Sequence, residues 1–319
     1  MTGRSVSSVC GTADAAGPAV VKALVAGTDG SSAAAEALAW AVEESHRRRV
    51  PLHVVTAWSP SRDPQETQWL STMKSVSELR TAVADELAAT VTSAVESANH
   101  NEVAISTEVA YGHPAKALID ESDPDRLLVV GSRGRGALSG IVLGSVSQAC
   151  AQYARGPVVV VRGSTPTAGT GRVVVGVDGS AESLAALRFA AVDARLRGAP
   201  LQVVHVWQDT DHAAHGRFVP PGESAKARAD EAWYDILRAV LDVAPDVEII
   251  SEHVAGYAQS VLLKASEGAA LLVVGSRGLG GWAGLMLGSV SLHCITQSAC
   301  PVAVIRASAT ARDSTDTRP

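Results

Sequence analysis

The chain lacks the features that mark several large classes of protein. No uninterrupted apolar run is long enough to span a bilayer, and the N-terminus lacks the charged and then apolar segments of a signal peptide. The formal net charge is −6 and no basic stripe runs along the sequence, which argues against a nucleic-acid surface. We therefore expect a cytoplasmic protein that neither spans a membrane nor binds nucleic acid.

Cysteine is equally scarce. The cysteines form no CxxC pair and no cluster with histidine, so the sequence offers no zinc motif. They are Cys10, Cys150, Cys294 and Cys300. Cys150 and Cys294 occupy equivalent positions in two repeated segments, which favours small core residues over a disulfide and fits a reducing compartment.

What the chain does contain is an internal repeat. Residues 129–147 and 273–291 share thirteen of nineteen positions, and each segment contains the pattern G-x2-G-x9-G-S. The pattern consists of Gly131, Gly134, Gly144 and Ser145 in the first copy and of Gly275, Gly278, Gly288 and Ser289 in the second. Because the copies lie 144 residues apart, the repeating unit is a whole domain rather than a solenoid unit.

The outer ends of the repeat predict the domain organisation. The segment D-G-S recurs at residues 29–31 and 178–180, and P-V-x-V-x-R recurs at residues 157–162 and 301–306. The stretch between the copies has the small, polar composition of a linker, and both chain ends are polar. The predicted units are a disordered tail (1–18), a first nucleotide-binding domain (19–163), a linker (164–171), a second nucleotide-binding domain (172–307) and a second tail (308–319).

Each copy alternates segments of strand and helix character. In the first copy the predicted strands are residues 23–28, 52–58, 103–109, 126–130 and 158–161, and the predicted helices are residues 32–48, a stretch within 74–99, 114–121 and 145–154. The last two strands are continuous apolar runs, which are typical of a parallel sheet covered on both faces. We therefore predict an α/β fold of two tandem doubly wound, Rossmann-like domains, each with a five-stranded parallel sheet of order 3-2-1-4-5.

The glycine pattern follows the fourth strand, beside the point where the strand order reverses and where ligands of such folds bind. Gly131 and Gly134 let the backbone turn tightly and approach a ligand closely. Gly144 and Ser145 open the next helix, whose free amides attract a phosphate. Ser145 either adds a hydroxyl hydrogen bond to that phosphate or caps the helix. The pattern is not a Walker A loop, since no lysine precedes the serine.

Two charged residues accompany each loop. Asp29 and Asp178 end the first strands, where a carboxylate can accept a hydrogen bond from a ribose hydroxyl or an adenine amine. The alternative is an aspartate that only starts the D-G-S turn and caps the next helix. Because an aspartate accompanies the glycine loop in both copies, we favour ligand contact. Arg133 and Arg277 either contact phosphate or lie in solvent.

Residues for enzymatic chemistry do not emerge from the pattern. The sequence offers no nucleophile–base pair and no carboxylate pair at suggestive spacing, so we predict neither a catalytic residue nor a metal ligand. His53, His205 and His253 fall within strands and are expected at core or face positions. His113 is matched by Tyr257 in the second copy, which weakens a catalytic role.

These motifs resemble the universal stress protein family in its tandem-domain, ATP-binding form, over about residues 20–163 and 172–307. The resemblance rests on G-x2-G-x9-G-[ST] joined to the leading D-G-S and the closing P-V-x-V-x-R segments. It implies that Asp29 and Asp178 contact adenosine, and that the glycines and serines hold the triphosphate of ATP, with magnesium or manganese as an optional companion. It also assigns to the sites the helix-start residues Val146 and Val290 and the second-strand residues Ala57 and Val206.

The resemblance also implies a function. Such proteins bind ATP and adjust growth or survival under stress through a partner protein, which the sequence does not identify. The alternative is a slow ATPase or another adenine-nucleotide enzyme, and a flavodoxin-like FMN domain is disfavoured by an aromatic content of 4%.

Three further expectations concern assembly and the loops. Fifth strands of family members pair across dimer interfaces, so the two domains can pair within the chain, or the chain can form a homodimer. Ala57 in the place of Val206 leaves the equality of the two sites open. We also expect the loops at 134–144 and 278–288 to be mobile without ligand.

Overall fold

Both repeats fold as alternating strands and helices. The computed structural model describes residues 21–58, 76–134, 143–162, 171–208, 223–280 and 286–307. The first repeat contains β1 (Ala23–Gly27), α1 (Ser32–Arg48), β2 (Leu52–Trp58), α2 (Val76–Ala98), β3 (Ile105–Tyr111), α3 (Pro114–Asp120), β4 (Arg126–Gly131), α4 (Ser145–Tyr153) and β5 (Val158–Val161). The second repeat contains β6 (Val173–Gly176), α5 (Ala181–Arg197), β7 (Leu201–Trp207), α6 (Glu223–Val243), β8 (Ile249–Ala255), α7 (Ala258–Ser266), β9 (Leu271–Gly275), α8 (Ser289–Gln297) and β10 (Val302–Ile305).

The strands form a single ten-stranded sheet. Its order is β3-β2-β1-β4-β5-β10-β9-β6-β7-β8, so each repeat has the predicted parallel order 3-2-1-4-5. The repeats meet where β5 pairs antiparallel with β10, with Val160 opposite Val302. The fifth strands therefore pair within one chain, which is the intramolecular form of the pairing that the family resemblance implies.

Apolar strands explain why this sheet is covered on both faces. All residues of β4 after its first, and all residues of β5, are buried. Alternate side chains enter two cores, with Val159 and Ala303 on one face and Val160 and Val302 on the other. Each core thus contains residues of both repeats, and the apolar interior continues across the junction between them.

A buried ionic cluster also joins the repeats, between α1 and α5. Arg48 Nη2 lies 2.7 Å from Asp193 Oδ1, and Arg197 Nη2 lies 2.7 Å from Glu44 Oε2. Both carboxylates are fully buried and occupy equivalent positions in the two repeats. Burial would raise the pKa of Glu44, but Arg48, Arg197 and Arg47 hold it at about 2. Burial and the charge of Glu44 raise the pKa of Asp193.

The predicted boundaries differ from the structure mainly at the third strand. β3 begins at Ile105 rather than at residue 103, because the Val103 amide donates to the His100 carbonyl (3.3 Å) within a turn. Val103 still packs against the core. Its apolar side chain therefore continues the apolar pattern of the strand, which led to the predicted start at residue 103. The tails at 1–18 and 308–319 and nearly all of the linker at 164–171 lie outside the described residues.

Candidate nucleotide-binding sites

Each repeat has a cavity at the carboxyl ends of its central strands. The first cavity measures about 460 Å³ and the second about 440 Å³. The first is lined by all eight residues predicted for it, namely Asp29, Ala57, Gly131, Arg133, Gly134, Gly144, Ser145 and Val146. The second is lined by their eight counterparts, Asp178, Val206, Gly275, Arg277, Gly278, Gly288, Ser289 and Val290. The topology thus brings together residues that lie more than 100 positions apart in sequence.

The two aspartates shape the turns that leave β1 and β6. Asp29 Oδ1 accepts a hydrogen bond from the Ser31 amide (3.0 Å), and Asp178 Oδ1 accepts one from the Ser180 amide (3.0 Å). The helix caps are the serines rather than the aspartates, because Ser31 Oγ accepts from the Ala34 amide (3.3 Å) and Ser180 caps α5 likewise. Each aspartate therefore takes part in the turn and also lines the cavity.

The first two glycines of each loop are required by close packing. A Cβ on Gly131 would lie 2.6 Å from the Ala33 carbonyl oxygen, so the end of β4 passes directly against the first turn of α1. A Cβ on Gly134 would overlap Oδ2 of Asp29, and one on Gly278 would overlap Oδ2 of Asp178. These glycines bring the loop against the carboxylate that ends the first strand.

The third glycine acts differently. Gly144 caps α4 with φ −74° and ψ 151°, and Gly288 caps α8 with φ −72° and ψ 156°. Neither helix has a side-chain cap, so the amides of the first turn keep their donors for an anion. Ser145 is the first helical residue, so the alternative that it caps the helix is wrong.

Sequence reasoning missed the serines that hold these helices in place. Ser147 is buried and its hydroxyl donates to the Gly131 carbonyl, and Ser291 donates likewise to the Gly275 carbonyl. Each bond ties the start of the helix to the end of the preceding strand and so fixes where the free amides point. The signal was present in the sequence, because both copies read G-S-V-S.

The arginines distinguish the two cavities. Arg277 Nη2 lies 2.6 Å from Oε1 of the buried Glu182, which stands in the first turn of α5. The equivalent position in the first repeat is Ala33, and Arg133 is exposed with no ion pair among the residues that the structure describes. In the second loop the Leu279 amide donates to Asp178 Oδ2 (2.9 Å), and the counterpart of Leu279 at position 135 lies outside the described residues.

The strand histidines lie outside the described cavity walls. His205 is buried and stacks on Trp233 and His253, and its Nδ1 lies 2.9 Å from Nδ1 of His253. Burial and the neighbouring His253 lower the pKa of His205 to about 4. Neither residue lines the described part of either cavity, so they belong to the packing between β7, β8 and α6.

Comparison with known proteins identifies the family of the chain. The universal stress protein family model matches residues 21–162 and again residues 169–306. The chain belongs to the universal stress protein family. Its duplicated form is shared with curated relatives, because the matches extend over nearly the full length of both proteins.

A universal stress protein of Mycolicibacterium smegmatis is 31% identical over 296 residues, covering 89% of this chain and 96% of that protein. One from Mycobacterium tuberculosis is 31% identical over 296 residues, covering 90% and 97%. Among solved structures, a universal stress protein of Archaeoglobus fulgidus superposes with a TM-score of 0.65 at 21% identity, covering 90% of this chain and 99% of that chain. That structure shares the fold. Of the helices in the described part of this universal stress protein, none combines the length and apolarity that crossing a membrane requires.

Proposed function

We propose that this universal stress protein binds two molecules of ATP, one in each repeat, and regulates growth or survival under stress through a nucleotide-dependent contact with a partner protein. One observation carries the proposal. In each repeat, a helix start without a side-chain cap, a glycine loop and a strand-end aspartate converge on one cavity. Volumes of about 440 to 460 Å³ fall within the range of small-molecule and cofactor sites.

The residues present suit the two ends of a nucleotide. The glycine-capped starts of α4 and α8 offer backbone donors and the positive end of a helix dipole to phosphates. Asp29 and Asp178 also line the cavities and offer carboxylate oxygens to a ribose hydroxyl or an adenine amine. A magnesium or manganese ion would be bound by the phosphates and by at most one carboxylate, because the described wall of each cavity contains one. Such ions are commonly bound in this way.

The proposed regulation uses the starts of α4 and α8 and the glycines that follow β4 and β9. Phosphate binding would join the start of α4 or α8 to the glycine loop. We propose that the surface presented to a partner differs between the nucleotide-bound and the nucleotide-free chain. The stress signal would then act through the nucleotide that occupies the two cavities.

Calorimetric titration of the nucleotide-free chain with ATP tests the proposal. We expect close to two ATP per chain, with ADP and AMP binding progressively less tightly as phosphates are removed. A chain that binds no adenine nucleotide contradicts the proposal. Hydrolysis measured on the same sample addresses the enzyme alternative, and turnover near one per second or faster, an ordinary enzymatic rate, would favour it.

A further inference from the structure

A cluster of metal-ligand side chains lies at the opposite end of the first repeat from the nucleotide cavity. His46 stands in the last turn of α1, and His100 and Glu102 stand in the turn between α2 and β3. One ligand atom from each lies within 4.8 Å of the others. His46 Nδ1 contacts Glu102 Oε1, and His100 Nδ1 lies 3.5 Å from the same oxygen. Two imidazoles therefore present ring nitrogens to one carboxylate.

A further carboxylate supports one of the imidazoles from behind. His100 Nε2 lies 2.7 Å from Glu43 Oε2, and Glu43 is itself held by Arg47 Nη2 at 2.6 Å. Histidines that bind metals commonly donate their second ring N–H to a carboxylate, which fixes the tautomer and strengthens the ligand. With its proton on Nε2, His100 directs the lone pair of Nδ1 toward Glu102.

The second repeat shows what occupies the same place when histidine is absent. Arg195 is the counterpart of His46, and Asp246 is the counterpart of Glu102. Their side chains form a two-pronged ion pair, with Arg195 Nε 2.6 Å from Asp246 Oδ2 and Nη2 2.5 Å from Oδ1. A permanent cation thus neutralises this carboxylate in the second repeat, whereas the first repeat supplies two imidazoles and no guanidinium at that position.

We propose that His46, His100 and Glu102 bind one divalent transition-metal ion of the zinc class, with Glu43 as the carboxylate that orients His100. Two imidazoles and a carboxylate are the ligand set of many zinc sites that keep a fourth position for water. The imidazoles are now stacked, with centroids 3.8 Å apart, and must tilt apart because a metal lies in the plane of each ring. The side chains of His46 and Glu102 are 43% and 60% exposed, which leaves them room to do so.

The proposed ion would join the end of α1 to the turn before β3. It would replace, in the first repeat, the link that Arg195 and Asp246 make in the second. The site is independent of nucleotide binding, since none of its residues lines the described walls of either cavity. Metal binding here and metal brought by a nucleotide can therefore be measured separately.

The test is titration of untagged, nucleotide-free, full-length chain with zinc chloride, followed by calorimetry and by metal analysis after desalting. We expect one zinc ion per chain with micromolar or tighter affinity, and a higher thermal midpoint. His46→Arg reproduces the residue of the second repeat and should fold normally while weakening zinc binding at least a hundredfold. His100→Ala should weaken it similarly, and Glu43→Ala about tenfold, because supporting carboxylates typically contribute ten- to hundredfold.

A matched control separates this site from a generic surface histidine. His53 also contacts a carboxylate, with Nε2 3.2 Å from Glu108 Oε2, but among the described residues no second imidazole contacts that carboxylate. His53→Ala should leave zinc affinity unchanged. Cobalt substitution should give visible bands without the absorption of a thiolate ligand. Absence of zinc uptake, uptake that survives His46→Arg and His100→Ala, or a thiolate band in the cobalt spectrum would each overturn the proposal.

Discussion

The two cavities have the same arrangement of strands, glycines and helix starts but differ in the charged side chains around them. In the second, Glu182 neutralises Arg277. In the first, Ala33 stands where Glu182 would be, and Arg133 is exposed. Among the described residues, the first cavity therefore has an arginine without an ion pair, while the guanidinium of the second is already paired. The two repeats share the glycine pattern but differ in the charged residues around it.

The largest expected effect comes from removing the aspartates. Asp29→Ala and Asp178→Ala should each weaken ATP at their own site by ten- to a hundredfold, the equivalent of roughly 1.5–3 kcal/mol for a hydrogen bond to a charged group. Calorimetry should then show one strong site and one weak site. Asp29→Asn is the matched control, because an amide oxygen can still accept from the Ser31 amide and preserve the turn.

The Asp178→Ala variant also tests the hydrogen bond that holds the second loop. Asp178→Ala removes the acceptor of the Leu279 amide, so it should increase hydrogen exchange in the 278–280 loop as well as weaken ATP. Weakening of inorganic phosphate binding to the same degree as ATP would show that the aspartates do not address the adenosine end.

Gly131→Ala and Gly275→Ala should lower the free energy of unfolding by roughly 1–3 kcal/mol, as overpacked positions do. The new Cβ would lie 2.6 Å from Ala33 O in the first repeat and 2.9 Å from Glu182 C in the second, so Gly131→Ala should cost more. Urea denaturation measures both. Gly144→Ala is the control: φ is −74° and the nearest atom to a new Cβ is 3.4 Å away, so unfolding should change little. Equal loss in all three variants would contradict this account.

A smaller effect should follow from exchanging the charges of the two sites. Glu182→Ala frees Arg277 and should tighten ATP at the second site about fivefold, the equivalent of roughly 1 kcal/mol for a partly exposed ion pair. AMP should gain less, because it carries fewer charges. Ala33→Glu is the reciprocal change and should weaken ATP at the first site. If AMP and ATP respond equally to Glu182→Ala, Arg277 does not act on the terminal phosphates.

The smallest effect concerns pH. The pKa of His205 is lowered to about 4 in the folded chain from an ordinary value of 6.5, so the unfolded chain binds the proton more readily. Its contribution to stability is present above pH 6.5 and is lost as the pH falls toward 4. The first repeat has Thr56 at the equivalent position. His205→Thr should therefore flatten the fall in urea midpoint between pH 7 and 5, and an unchanged slope would contradict the assignment.

Most of the fold was predictable from sequence because the signals were local and repeated. The apolar runs of β4 and β5 and the order 3-2-1-4-5 follow from composition and alternation, and the structure confirms them. Twelve of the sixteen proposed site residues were found because duplicated motifs mark them. The other four, Ala57, Val146, Val206 and Val290, came from the family resemblance, and all sixteen line the two cavities. Their part in binding ATP stays a prediction.

What sequence reasoning missed depends on contacts between distant segments. The predicted helix over residues 32–48 matches α1, but the pattern does not show that Arg48 reaches Asp193 in the other repeat. The hydrogen bond from Arg277 to Glu182 joins residues 95 positions apart. An arginine or a glutamate in a sequence does not indicate which distant residue it will pair with. Such pairs arise from the crossing of helices and loops in the folded chain, which no local pattern specifies.

The antiparallel pairing of β5 with β10 has a consequence for how the molecule could diverge. Two identical subunits joined through a two-fold axis carry every substitution twice, so neither site can change alone. Here both halves of that interface belong to one polypeptide, and a substitution appears once. Each repeat can therefore carry its own substitutions, and Glu182 has Ala33 at its equivalent position while Arg195 has His46.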